Sequence, residues 1–258
     1  MYFAKLRLDG RVAVITGAGQ GIGYACAEAL GEAGAAVVIA EKMPDTMHQA
    51  VATLKAKGLK ASGYVLDVAR SADVDTACAA IMTDHGRVDV LVNNAGIARS
   101  FVKAEDTTDE HWRVHMAINL DGVFWCCRAF GREMLKAGRG SIVNIGSMSG
   151  IIANKPQEQA FYNASKAAVH HLTRSLAAEW APRGVRVNAV APTYIETPLT
   201  KSGMTDMPDV YATWKDMTPM GRAGQPDEIA SVVHFLASDA ASLMTGSIVL
   251  ADGGYCCW

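Results

Sequence analysis

Tyr162 and Lys166 stand four residues apart in the run Tyr162-Asn163-Ala164-Ser165-Lys166. On a helix that spacing puts both side chains on one face. A free phenol titrates at about 10 and is a poor base at neutral pH. A neighbouring ammonium favours the phenolate and brings that value down. The pair could therefore exchange a proton with an alcohol or a carbonyl oxygen. Ser147 closes the apolar run 140–147. A hydroxyl at that strand end is either a partner for the same oxygen or an ordinary turn serine.

A second constellation precedes it. Thr16-Gly17-Ala18-Gly19-Gln20-Gly21-Ile22-Gly23 follows a β-type run and opens a helical stretch. Gly17, Gly21 and Gly23 allow a tight turn and close backbone approach, and helix N–H groups beyond the turn point at a pyrophosphate. Glu41 lies 18 residues after Gly23, at the end of the next β-type run. A carboxylate there can accept hydrogen bonds from both ribose hydroxyls of NAD and repel a 2′-phosphate. Lys42 follows it, and a cation beside that site could accommodate the phosphate.

These groups need elements to hold them. Seven β-type runs are expected at 12–17, 35–41, 62–68, 88–96, 140–147, 185–192 and 247–254. Helices are expected at about 21–33, up to Lys57, at 71–85, 109–136 and 159–180. Near-continuous Val/Ile/Ala runs suit strands buried on both faces of a parallel sheet. The expectation is an α/β fold, one doubly wound (Rossmann) domain over residues 1–258 with a parallel seven-stranded sheet and helices on both faces. Its ligand crevice lies outside the carboxyl ends of the strands, at the switch point.

Composition narrows the partners. Of 258 residues, 50% are hydrophobic and 19% charged, which suits a packed soluble core. The net charge of −2 gives no field for nucleic acid or an anionic membrane. No apolar run approaches the roughly 18 residues of a membrane span, and no signal-type block opens the chain. A cytoplasmic location is expected. The six cysteines, at 26, 78, 126, 127, 256 and 257, form no C-x-x-C and are expected as reduced, packed thiols. His111 and His115 are four apart and could chelate a metal, but no third ligand stands near, so none is expected. His170 and His171 are adjacent, diverge, and are expected to form no site.

All these motifs, in this order and over the whole chain, resemble the short-chain dehydrogenase/reductase family. The glycine run, Asn93-Asn94-Ala95-Gly96, Asn119 in Ala117-Ile118-Asn119-Leu120, Ser147 with Tyr162 and Lys166, and Asp252-Gly253-Gly254 carry the resemblance. It implies that Asn119, Ser147, Tyr162 and Lys166 are catalytic. Tyr162 would exchange the proton, and Ser147 would hydrogen-bond the same substrate oxygen. Lys166 would bind the nicotinamide ribose, and Asn119 would hold a water. It further implies cofactor binding by Gly17, Gln20, Gly21, Ile22, Gly23, Glu41, Asp67, Val68, Asn93, Ala95, Gly96, Tyr162, Lys166, Ile195 and Thr197. Asp67 would reach the adenine, and Ile195 with Thr197 would hold the carboxamide. Thr193 stands where the family usually has glycine after Pro192.

Ser147 and Tyr162 are 15 residues apart, a wider spacing than the family's commonest. The segment 146–180 resembles the family's polyol dehydrogenases of the galactitol and arabitol type. That implies a sugar alcohol oxidised to a ketose, and Glu41 favours NAD as the cofactor. A loop at about 148–161 would recognise the polyol through Ser149, Asn154, Gln157 and Glu158, beside Ser147 and Tyr162. A lid at about 196–220 would carry Met204, Met207, Met217 and Met220 with Tyr211 and Trp214. A homotetramer is expected, with the apolar tail Tyr255–Trp258 buried against a neighbour or near a site. Two other readings stay open: an NADPH-dependent 3-oxoacyl thioester reductase, and a catalytically silent nucleotide-binding sensor.

Overall fold

The computed structural model describes residues 1–200 and 204–258. Its strands are β1 (Val12–Thr16), β2 (Ala36–Glu41), β3 (Ala61–Val65), β4 (Val90–Asn93), β5 (Gly140–Ile145), β6 (Val185–Pro192) and β7 (Ile248–Ala251). They form one sheet in the order β3-β2-β1-β4-β5-β6-β7, with every pairing parallel. The chain winds outward from β1 to β3, then crosses back to β4 beside β1. The crevice at that reversal is where the glycine run and the catalytic strand end meet.

The helices are α1 (Gly21–Glu32), α2 (Pro44–Ala56), α3 (Ser71–His85), α4 (Asp109–Met116), α5 (Gly122–Ala137), α6 (Ala160–Trp180), α7 (Pro208–Asp216) and α8 (Pro226–Ala237). Successive strand residues face opposite layers. Ala13 and Ile15 pack with Leu30, Leu54, Ile229 and Val233 under α1, α2 and α8. Val12 and Val14 pack with Ile81, Phe130, Leu176 and Val185 under α3, α5 and α6. A smaller cluster, Met148, Tyr194, Trp214 and Tyr255, ties the segment after β5 to α7 and the C-terminus. The doubly wound seven-stranded expectation holds.

Several boundaries differ from the sequence expectation. The third strand ends at Val65, so Asp67 and Val68 lie in the loop beyond it. The fourth is confined to Val90–Asn93 and the seventh to Ile248–Ala251. The stretch 109–136 is not one helix: a π turn at Ala117–Asp121 separates α4 from α5 and carries Asn119. Such insertions re-aim a side chain within a helix.

Cys26, Cys78, Cys126 and Cys127 are buried, and burial pushes the Cys26 and Cys127 thiols up to about 12. Packed thiols were expected throughout, but Cys257 is exposed. The tail divides likewise: Tyr255 is buried beside Tyr194, whereas Trp258 is exposed with its indole N–H donating to Met217 O. Among the described residues no helix is long and apolar enough to cross a membrane.

Candidate active site

A cleft of about 810 Å³ opens along the carboxyl ends of the strands. Glu41, Asp67 and the glycine run line one end of it, and Ser147, Tyr162 and Lys166 line the other.

At the cofactor end, Gly17 and Gly21 have φ of +61° and +56°, a region that favours glycine. A Cβ on Gly17 would sit 2.8 Å from Ala95 Cα. The turn therefore lies against the β4 loop and leaves the start of α1 open to the cleft. Gln20, Ile22, Val68, Ala95, Gly96, Ile195 and Thr197 also line it. Two expected cofactor residues do not. Gly23 lies where a Cβ would meet Asn94 Nδ2 and Gly17 O at 2.4 and 2.5 Å, so it serves the packing of α1. Asn93 is 2% exposed and turned into the core, donating to Asn144 Oδ1 at 2.8 Å. Its neighbour Asn94 takes the place at the cleft, and its Nδ2 donates to the carbonyls of Thr16 and Gly17.

The Glu41 carboxylate is fixed by three backbone donors. Oε2 accepts Gly19 N–H at 3.2 Å, and Oε1 accepts Lys42 N–H and Met43 N–H at 2.8 and 3.2 Å. The Lys42 ammonium turns to Asp67 Oδ2 at 2.8 Å. Burial raises the Asp67 carboxyl, but the Lys42 hydrogen bond and the Ala69 N–H outweigh it and hold the group below its ordinary value. This end of the cleft thus presents a held carboxylate and a lysine whose charge is already matched. An adenosine diol, a pyrophosphate at a helix start and a nicotinamide near Ser147 would all find suitable partners, so the residues fit a nicotinamide dinucleotide.

At the catalytic end, α6 brings Tyr162 and Lys166 to one face as their spacing predicts. The Lys166 ammonium lies 5.7 Å from the Tyr162 ring centre and donates to Ile145 O at 2.9 Å. Burial lowers Lys166 from 10.5 to about 8. The sequence predicts that Lys166 brings the phenol down. In the structure burial raises Tyr162 above its ordinary value, and the Ser147 hydroxyl is the group that pulls against it. Ser147 also donates to Ser149 Oγ at 3.0 Å and accepts Ser149 N–H at 3.1 Å.

Asn119 is fully buried and does not line the cleft. Its Oδ1 accepts Ile97 N–H, and its Nδ2 donates to Ile97 O, both at 2.9 Å. These two bonds tie the side chain to the segment that follows β4. The Thr193 backbone needs no glycine: its N–H continues the sheet to Ala251 O at 3.3 Å.

The 148–161 segment is built around amides. Gln157 Nε2 donates to Tyr194 OH at 2.9 Å and its Oε1 accepts the Trp214 indole N–H at 3.1 Å. The Tyr194 and Trp214 rings stack at 3.9 Å, so one amide fastens the loop to α7. Asn154 stands behind the cleft wall, donating to Tyr194 OH at 3.1 Å. Glu158 is a correction: its side chain is exposed, and its backbone carbonyl accepts the N–H groups of Phe101 and Val102. Gln159, which the sequence did not mark, lines the cleft instead. Its Nε2 donates to Ser149, Asn154 and Asn163, and its Oε1 accepts from Ser100 at 2.5 Å.

Of the lid residues, Trp214 is buried while Met207 and Met220 are exposed. Met204, Tyr211 and Met217 pack on the Tyr194 cluster. Among the described residues no three His, Cys, Asp or Glu side chains gather as metal ligands. Both ring nitrogens of His115 are taken, by His111 O and Arg99 N–H.

Comparison with known proteins agrees with this geometry. Residues 17–256 match a family model described as Enoyl-(Acyl carrier protein) reductase. The chain is 55% identical to a galactitol 2-dehydrogenase of Rhizobium johnstonii, over 100% of this chain and 99% of that protein. It is 50% identical to a galactitol 2-dehydrogenase (L-tagatose-forming) of Cereibacter sphaeroides, with the same coverage. The crystal structure of gox2181 superposes with a TM-score of 0.99 at 57% identity, covering 100% of both chains. The chain belongs to the short-chain dehydrogenase/reductase family.

Proposed function

We propose that this chain oxidises a secondary hydroxyl of a sugar alcohol to the ketose, reversibly, with NAD as cofactor. The convergence of Tyr162, Lys166 and Ser147 beside a wall of hydroxyl and amide groups carries this reading. A wall that hydrogen-bonds hydroxyls discriminates against analogues lacking them, whose binding leaves its polar groups unpaired. Full-length likeness to two galactitol 2-dehydrogenases supports the substrate class.

When bound, the nicotinamide supplies the hydride acceptor or donor. The chain's own residues position the substrate and move the proton. Ser147 Oγ orients the reacting oxygen, and the Tyr162 phenolate takes its proton during oxidation. Lys166 holds positive charge beside that phenol. Ser149 and Gln159 meet further hydroxyls. Trp214 and Tyr194, locked by Gln157, form a floor for the substrate, and the 196–220 segment, of which 201–203 lie outside the described residues, acts as the lid that would keep water out. Trp112 and Phe124 on α4 and α5, and Leu250 on β7, are exposed apolar side chains on the faces a homotetramer would cover.

The held Glu41 carboxylate and the Lys42–Asp67 pair support NAD over NADP. Relatives are named with both preferences. The deciding assay follows NADH absorbance with hexitols, pentitols and tetritols at mildly alkaline pH, with NAD and NADP in parallel. Turnover of one stereochemical set with NAD is expected. Turnover of 3-oxoacyl thioesters with NADPH and of no polyol would overturn the reading. Glu41→Ser should narrow the NAD-to-NADP ratio of kcat/KM by about 10- to 100-fold, the worth of hydrogen bonds to a charged group.

A further inference from the structure

His170 lies one turn beyond Lys166 on the same face of α6, yet belongs to none of the motifs above. Its neighbour His171 is exposed, whereas His170 is 4% exposed and turned under the segment that follows β5. Two glycines make room for the ring. A Cβ on Gly146 would sit 2.3 Å from His170 Nε2, and one on Gly150 would sit 2.8 Å from Nδ1. Between those glycines stands Ser147, whose backbone N–H donates to His170 Nε2 across 3.5 Å. The ring therefore touches the catalytic turn at both ends and in the middle.

We propose that His170 is a positioning residue: its imidazole, wedged beneath the Gly146–Gly150 turn, sets the place of the Ser147 hydroxyl. To accept the Ser147 N–H, Nε2 must be unprotonated. Burial, with the charges of Lys166 and Arg174, lowers His170 to about 4, while a hydrogen bond to the Gly150 backbone opposes this. The ring is thus neutral at the pH of the proposed reaction, with one nitrogen donating and one accepting. Removing it would leave the Ser147 N–H buried without a partner and free the turn to shift. A small displacement of a positioned group can cost about 100-fold in rate.

The inference rests on the dehydrogenase reading, so two measurements separate them. For His170→Leu we expect kcat to fall about 10- to 100-fold with NAD affinity within about 2-fold of wild type. Backbone amide exchange, followed by mass spectrometry, should accelerate in the 146–150 peptide. His170→Gln keeps an acceptor near the Nε2 position and should restore most of both. Loss in Leu and Gln alike, tracking only a fall in Tm, would overturn the proposal and make the ring mere packing. Unchanged kcat and exchange in His170→Leu would overturn it too. If wild type turned over no polyol, the substrate reading would fail, and the exchange comparison alone would still decide the role of His170.

Discussion

Tyr162→Phe should lower kcat about 1,000-fold, the middle of the range for a positioned general acid–base group and worth about 4 kcal/mol. The substitution removes one oxygen and leaves the ring that packs beside Lys166. NAD affinity, measured by quenching of protein fluorescence, should stay within about 2-fold of wild type. The wild-type pH dependence has a defined sign. Burial holds the phenol above its ordinary value, so the base needed for alcohol oxidation is scarce at neutral pH and grows as pH rises. Reduction of the ketose needs the protonated phenol. Between about pH 7 and 10, oxidation should therefore accelerate while reduction stays nearly level. Residual turnover above about one-tenth of wild type in Tyr162→Phe would assign the proton transfer to another group.

How much of this was legible follows from the range of each signal. Tyr162 and Lys166 are neighbours because a helix repeats every 3.6 residues, and the spacing alone shows it. The glycine turn is equally local: Gly17 and Gly21 take the positive φ that their residue type permits. Asn119 is marked by its motif, but its side-chain partner is not. The π turn rotates it toward Ile97, and no pattern in Ala117–Asp121 marks that turn. Helix α8 carries a written start signal, Pro226 at its first position with Glu228 accepting the Gln225 N–H. The helices expected from the sequence nonetheless end at 180 and do not include it. Three consecutive side chains, Gln157 to Gln159, illustrate the limit in loops. A loop has no period, so polarity cannot say which residues face inward. Gln157 and Gln159 do, and Glu158 between them faces solvent. Lys42 depends on distance in another way. It neighbours Glu41 in sequence, but its charge is answered by Asp67, 25 residues further on and one strand away.

Lys166→Met separates function from stability, because the ammonium is useful in the cleft and unwelcome in the core. Met keeps a long apolar stem but removes the charge beside the Tyr162 ring and the donor to Ile145 O. Catalysis should fall by at least about 100-fold, the scale seen when one preorganised donor is lost from a dry site. NAD should bind more weakly as well, since this ammonium faces the cleft. Stability should move the other way. Folding lowers Lys166 from 10.5 to about 8, so below about pH 8 the folded chain carries a charge that its surroundings disfavour. Between those two values the unfolded chain binds the extra proton. This group's contribution to stability therefore rises with pH there. At pH 7 the Tm of Lys166→Met should equal or exceed that of wild type, and the difference should shrink as pH approaches 10. Comparing the two proteins at each pH cancels the other titrating groups. A Tm several degrees below wild type at pH 7 would mean that the hydrogen bond to Ile145 outweighs the burial of the charge. Lys166 would then be a structural lysine as well as a catalytic one.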